Sequence, residues 1–224
     1  MEVLDAAEID KIKELVDFVF CAVDMKKDAI LALDYPKDDP AFDPDNIKYS
    51  CVRYAPIGIQ NAMGPSWVDP RSGEIITASV YVYHDIVKLI QRWMFIQTSQ
   101  ADTDVRALEF PQEVLGDAIR YVIAHEIGHC LGFMHNMSAS SVIPVESLRD
   151  PEFTHTNGTT TSIMDYARFN YVAQPGDKER GVKLTPPRFG SYDKWLIEWP
   201  YKPVFDVASF QEEAEITSGW ITEA

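Results

Sequence analysis

The chain has 224 residues, 46% of them apolar, with 14 prolines and 11 glycines scattered along it, a composition that suits one globular domain and leaves a second full domain cramped. Its 20 basic against 35 acidic side chains leave a formal charge of -15, which repels a phosphate backbone or an anionic bilayer and argues against nucleic acid as a partner. No apolar run reaches the roughly 20 residues that span a membrane, and the N-terminus, MEVLDAAEID, is acidic where a secretory leader is basic.

Residues 7–23 carry Ile9, Ile12, Leu15, Val16, Val19 and Val23 at helical spacing and predict an amphipathic first helix. The run AILALDYP reads as a short strand stopped by proline, and PKDDPAFDPDN, dense in Asp and Pro, as an exposed loop. IKYSCVRY is rich in β-branched and aromatic residues and predicts a strand. DPRSG is a turn, with Pro70 fixing the backbone and Gly73 permitting positive φ. EIITASVYVY then alternates, Ile76, Ala78, Val80 and Val82 on one face and Thr77, Ser79, Tyr81 and Tyr83 on the other, as the second arm of a hairpin.

Asp85 is placed to cap a helix with Ile86, Leu89, Ile90, Trp93 and Met94 on its apolar face. A second helix opens near Pro111, and its stripe of Val114, Leu115, Ala118, Ile119, Val122, Ile123 and Ile127 keeps the 3.6-residue period without a break. From Asn136 to Thr161 the chain is rich in Ser, Thr, Asn and Pro and predicts a long surface loop. SYDKWLIEW predicts a short helix that docks through Trp195, Leu196 and Trp199.

The 111–131 helix carries the chemistry. AHEIGHCLGFMHN contains His125-Glu126-x-x-His129-x-x-Gly132-x-x-His135, the extended zinc signature. Residues i and i+4 share one helix face, so His125 and His129 can present imidazoles to one ion. Gly132 reaches the left-handed conformation cheaply, ends the helix and lets the chain bend back with His135 as third ligand. Three neutral imidazoles leave the fourth tetrahedral position of one catalytic Zn²⁺ open, and Glu126 follows the first ligand as the base that activates water. Helical-wheel positions bury the second half of this helix on both sides, where unpaired imidazoles would be costly and coordination satisfies them.

The other metal-capable residues read differently. Cys21, Cys51 and Cys130 have no regular spacing and predict reduced, buried thiols. Cys130 adjoins His129, but adjacent helical residues point about 100° apart, which favours core packing. His84 and His155 read as surface histidines.

Downstream, Ser162-Ile163-Met164-Asp165-Tyr166 resembles the Met-turn of metzincins in the S-I-M-x-Y form of astacins and serralysins. The resemblance implies an α+β zincin-like fold: a twisted mixed sheet with N-terminal helix and active-site helix above a cleft, and an irregular lower subdomain with Met-turn and C-terminal helix. It implies Met164 as a hydrophobic base under the metal and Tyr166 as a group that stabilises the tetrahedral intermediate. Asp165 replaces the histidine usual in astacins, whose disulfides are also absent, so the match is to the clan's core. GPSWVDPRSGEI, SIMDYARFNYVAQPGD and LTPPRFGSYDKWLIEW are similar to large exported zinc-dependent metalloproteases of Bacteroidetes, over roughly residues 30–203. That similarity implies a periplasmic or extracellular setting and a larger multidomain parent. Residues 1–224 are then one catalytic domain, 1–135 upper and 136–224 lower. By the same analogy EIITASVYVYHD is the edge strand that pairs with a peptide or protein substrate. The expected activity is zinc-dependent endopeptidase; the alternative is a catalytically silent, zinc-stabilised binding or adhesion module.

Overall fold

A computed structural model describes residue 36, residues 38–187 and residues 189–223. The helix expected over 7–23, the strand expected in AILALDYP (apart from Pro36) and Cys21 lie outside the described residues. The described chain runs β1 (Val52–Ala55), β2 (Ala62–Met63), β3 (Ser66–Val68), β4 (Ile75–Ala78), β5 (Val80–Tyr83), α1 (Ile86–Thr98), α2 (Gln112–Cys130), α3 (Pro151–Asn157), α4 (Ser191–Tyr201) and α5 (Phe210–Glu223). This is an α+β architecture.

The strands are two arms of one hairpin plus a parallel neighbour. Ala62 pairs with Val82, Met63 with Tyr81, Ser66 with Ala78 and Trp67 with Thr77, one continuous antiparallel register, and the Ser79 N–H donates to Pro65 O at 3.2 Å across the join. β1 pairs parallel with β5 on its other side. Beside β4, side-chain bonds take the place of a ladder: Thr77 Oγ1 donates to Tyr49 O, and the Cys51 N–H donates to Ser79 Oγ.

This pairing corrects the expected edge. Among the described residues the Val80–Tyr83 part of the second arm, EIITASVYVYHD, is central, and the outer edge belongs to the first arm, residues 62–68. Pro65 is the overlooked signal, since a residue without an N–H is confined to sheet edges. Alternation also holds only in part. Val80 and Val82 are buried, but Ile76 is 51% exposed and Thr77 and Ser79 are buried, because Thr77, Ala78 and Ser79 face residues 49–51, to which they are hydrogen-bonded.

α1 buries Ile86, Ile90, Met94 and Thr98, the 3.6-period face of the sequence. Asp85 makes no capping bond there; its carboxylate pairs with Lys88 at 2.9 Å. Two apolar clusters meet across α2. One joins Val80, Val82, Ile86, Ile90, Met94, Ile119, Ile123 and Phe169. The other joins Ala124, Phe133, Ile163, Met164 and Ile197. α2 is therefore a partition, with the sheet on one side and the lower segment on the other.

The segment after Asn136 is not a structureless surface loop. It forms 3₁₀ turns at Ala139–Val142 and Val145–Arg149 and the helix α3, and it buries Thr154, Thr159 and Thr160. Asp150 caps α3 by accepting from the Phe153 N–H at 3.0 Å, with Pro151 at the first helical position, a start signal readable in D-P-E. In α4 the docking residues are Ile197 and Leu196; Trp199 is 38% exposed, a second correction. α5 has no counterpart among the expected elements.

Candidate metal centre

α2 ends after Cys130 by a complete glycine cap. Gly132 sits at φ +86°, its N–H donates to His129 O at 3.0 Å, and the Phe133 N–H reaches back to Gly128 O at 3.0 Å, the two bonds of the Schellman motif. The chain thereby reverses, and Asn136 N–H donates to Met164 O at 3.0 Å, tying the stretch after His135 to the turn beneath. His125 and His129 on the helix and His135 beyond the reversal bring one ring nitrogen each to within 4.8 Å of one another.

The protonation pattern follows from the hydrogen bonds. His125 Nδ1 lies 2.6 Å from Ile163 O and His129 Nδ1 lies 2.9 Å from Phe133 O. A carbonyl only accepts, so each Nδ1 carries the proton and each Nε2 keeps a lone pair. The Nε2 atoms converge at 3.2 Å (His125 to His135) and 3.1 Å (His129 to His135). Ligands on a tetrahedral zinc at its usual bond lengths lie roughly 3.3 Å apart, so these residues fit the ion. The lone pairs of His125 and His129 thus face the His135 nitrogen at one point, where a cation can satisfy all three.

Electrostatics favour neutral imidazoles. Burial pushes His125 down to about 4, against an opposing lift from its Ile163 bond. Burial also lowers His135, with the neighbouring His129 adding to it.

Glu126 is 9% exposed. Burial raises its pKa, while His129 and a hydrogen bond from the Gly64 backbone N–H act the other way. Gly64 escaped the sequence reading. It lies in the outer hairpin arm against the backbone of Glu126, where a Cβ would overlap the Glu126 carbonyl. An isolated glycine in a strand pattern is the signal for such close approach.

Met164 is fully buried, and its Sδ occupies the space a Cβ on Gly128 would need, so it lies directly under the helix turn that holds the histidines. Tyr166 is 48% exposed, its ring centre 4.6 Å from that of His135 and 5.4 Å from that of His125. The Ser162–Tyr166 turn is anchored from α4: Asp193 accepts from Ser162 Oγ at 2.6 Å, Ile163 N–H at 2.8 Å and Gly190 N–H at 2.7 Å. Asp165 accepts from Ser140 N–H at 2.6 Å, which gives this carboxylate a structural task. The sequence marks Asp165 only by its departure from the histidine usual in astacins, and Asp193 only by its position three residues after the helix N-cap Gly190.

The remaining candidates lie elsewhere. His84 Nδ1 is 2.5 Å from Tyr54 Oη. His155, at the end of α3, lines a separate hollow with Arg120 and Lys183. Cys130 packs against the sheet-side cluster, and burial, with the Glu126 charge adding to it, pushes its thiol up to about 12.

A three-histidine cluster on a helix-and-return frame, in an α+β fold, defines a zinc metallopeptidase-like module of the zincin class. Residues 107–224, just over half of the chain, match the model of the Met-zincin family, and the chain belongs to that family. No curated protein and no solved structure matches the chain.

Proposed function

We propose that the chain is a zinc-dependent endopeptidase in which Glu126 is the general base and Tyr166 the oxyanion donor. The observation that carries this reading is the convergence of three imidazole nitrogens beside an intact, buried glutamate. A module kept only for binding has no use for that carboxylate. His125, His129 and His135 would hold the metal, which when bound supplies a Lewis acid for the scissile carbonyl and for the attacking water.

Glu126 takes the proton of that water and passes it to the leaving amine. Burial raises its pKa, a shift in the direction that eases the return of the proton to the leaving amine. The Gly64 N–H fixes the carboxylate from the hairpin side. The Tyr166 hydroxyl, on an exposed ring beside His135, donates to the oxygen that gains charge as the carbonyl carbon becomes tetrahedral. The edge of residues 62–68, which has no outer partner among the described residues, aligns the peptide by main-chain hydrogen bonds, and Gly64 places that edge against Glu126.

Glu126→Ala is expected to keep one zinc per chain by elemental analysis and to lose about 10²–10⁴-fold in kcat on a peptide library. Unchanged cleavage ends the mechanism, and a zinc-loaded wild type that cleaves nothing returns the silent-module reading. In the same assay Tyr166→Phe should lower kcat; an effect on KM alone removes the oxyanion role.

A further inference from the structure

Two residues beyond Tyr166, Arg168 has φ +55°, a left-handed conformation that non-glycine residues adopt at a cost and that concentrates at functional sites. The conformation is pinned. The buried Tyr121 hydroxyl donates to Asp165 O at 3.0 Å and is bonded to the Arg168 backbone N–H. The guanidinium lies 3.6 Å from the centre of the Trp93 ring and 5.1 Å from that of Tyr166, which itself adjoins two of the histidines.

What the guanidinium lacks among the described residues is an acceptor. Every other described arginine has one: Asp45, Asp69, Gln60, the Ser99 carbonyl, Asp117 or Asp177. Among the described residues Arg168 meets only aromatic faces, and none of its nitrogens is sealed from solvent. In a chain with 35 acidic side chains, a half-buried cation without a carboxylate, beside the metal ligands, is out of proportion. Stacking on Trp93 uses a face of the guanidinium and leaves its in-plane N–H fork for an in-plane acceptor, the geometry that suits a carboxylate.

We propose that Arg168 is a specificity-determining residue that binds a carboxylate of the peptide substrate close to the scissile bond. The carboxylate is either an Asp or Glu side chain or the substrate's own C-terminus. The peptide as ligand rests on the endopeptidase reading above; the carboxylate preference rests on Arg168.

The test is equilibrium binding. C-terminally amidated, fluorescein-labelled octapeptides carrying one Glu at each position in turn, and their Gln twins, are titrated against the zinc-loaded Glu126→Gln protein by anisotropy. A second set has neutral side chains and a free or amidated C-terminus. The expected result is a preference of about tenfold for the carboxylate at one side-chain position or at the terminus. The two sets distinguish the source.

Arg168→Gln should bring the pair within twofold with zinc content and near-ultraviolet circular dichroism unchanged. Arg168→Glu should turn the preference toward a Lys twin. Pairs within twofold throughout the parent protein, or no binding, overturn the proposal. A preference that survives Arg168→Gln also overturns it. Cleavage by the wild type is scored separately. Carboxylate preference without cleavage removes the peptidase reading alone, and cleavage without preference removes the carboxylate site alone.

Discussion

Between Gln112 and Cys130 the chain is held by a helical hydrogen-bond ladder and an apolar stripe, and its buried side chains include Ala118, Ile119, Val122 and Ile123. Between Asn136 and Asp193 a smaller share of the residues is buried, and polar anchors stand out among them: Thr154, Thr160, Ser162, Asp165, Asn170, Asp177 and Asp193 are all buried. Asn170 alone donates to Leu148 O at 2.7 Å and Lys183 O at 3.0 Å. The helix supplies two of the metal-capable histidines, and the polar segment fixes how they stand. Its Ile163 carbonyl accepts from His125 and its Met164 fills the space under Gly128. Apolar periodicity builds the frame here, and buried hydrogen bonds set the geometry.

The strongest break in this comparison is Asp193→Ala. It strands three buried donors, Ser162 Oγ–H, Ile163 N–H and Gly190 N–H, each worth about 1–3 kcal/mol when left unsatisfied. A loss of at least about 3 kcal/mol by urea titration is expected, against about 1 kcal/mol for truncating the half-buried Val114 of the helix stripe. Zinc affinity should fall with it, because the carbonyl that orients His125 lies in the released turn. If Asp193→Ala costs no more than Val114→Ala, apolar burial holds both regions and the contrast is wrong.

The same division explains what was legible. The HExxHxxGxxH spacing, the α2 stripe and the hairpin turn are periodic or local signals, and each of those elements appears in the structure. The outer hairpin arm, Gly64 against Glu126, and the Asp193 and Asp165 anchors depend on which distant backbone amide a side chain meets, over 30 residues for Asp193 and Ile163. Side-chain bonds to remote backbone carry no period. A Ser-, Thr- and Asn-rich stretch therefore reads as a loop, whether its polar groups face water or one another. Asp150 before Pro151 was the exception, a local cap inside that stretch.

Acidification sharpens the comparison from the helix side. His125 is held neutral by burial, with a folded value of about 4 against an ordinary value near 6.5. Between those values the unfolded chain binds the proton that the folded chain refuses, so stability rises with pH across the window and is lost as pH falls through it. The metal-free protein should therefore lose on the order of 3 kcal/mol from this group between pH 7 and pH 4, read as a fall in Tm. His125→Asn should flatten that part of the profile. A metal-free wild type with the same pH slope as His125→Asn shows that the imidazole is not the group being charged.

The smallest effect comes from the point where the two regions touch. Gly128 is a buried helical residue, and exchanging an interior helical glycine for alanine ordinarily gains about 1 kcal/mol. Here the new methyl meets Met164 Sδ, and Met164 is fully buried with no room to retreat, so overpacking of about 1–3 kcal/mol opposes the gain. The net expected for Gly128→Ala is a loss of about 1 kcal/mol. Met164→Ala alone should cost about 2–5 kcal/mol through the cavity it leaves. The double variant distinguishes contact from propensity: with the sulfur gone the methyl has space, so Gly128→Ala should turn neutral or stabilising in the Met164→Ala background. That is a coupling of about 1 kcal/mol or more between a helix residue and a loop residue 36 positions away. Additive effects mean that helix and turn do not press on each other, and the metal ligands then owe their placement to the Ile163 carbonyl and the Gly132 reversal alone.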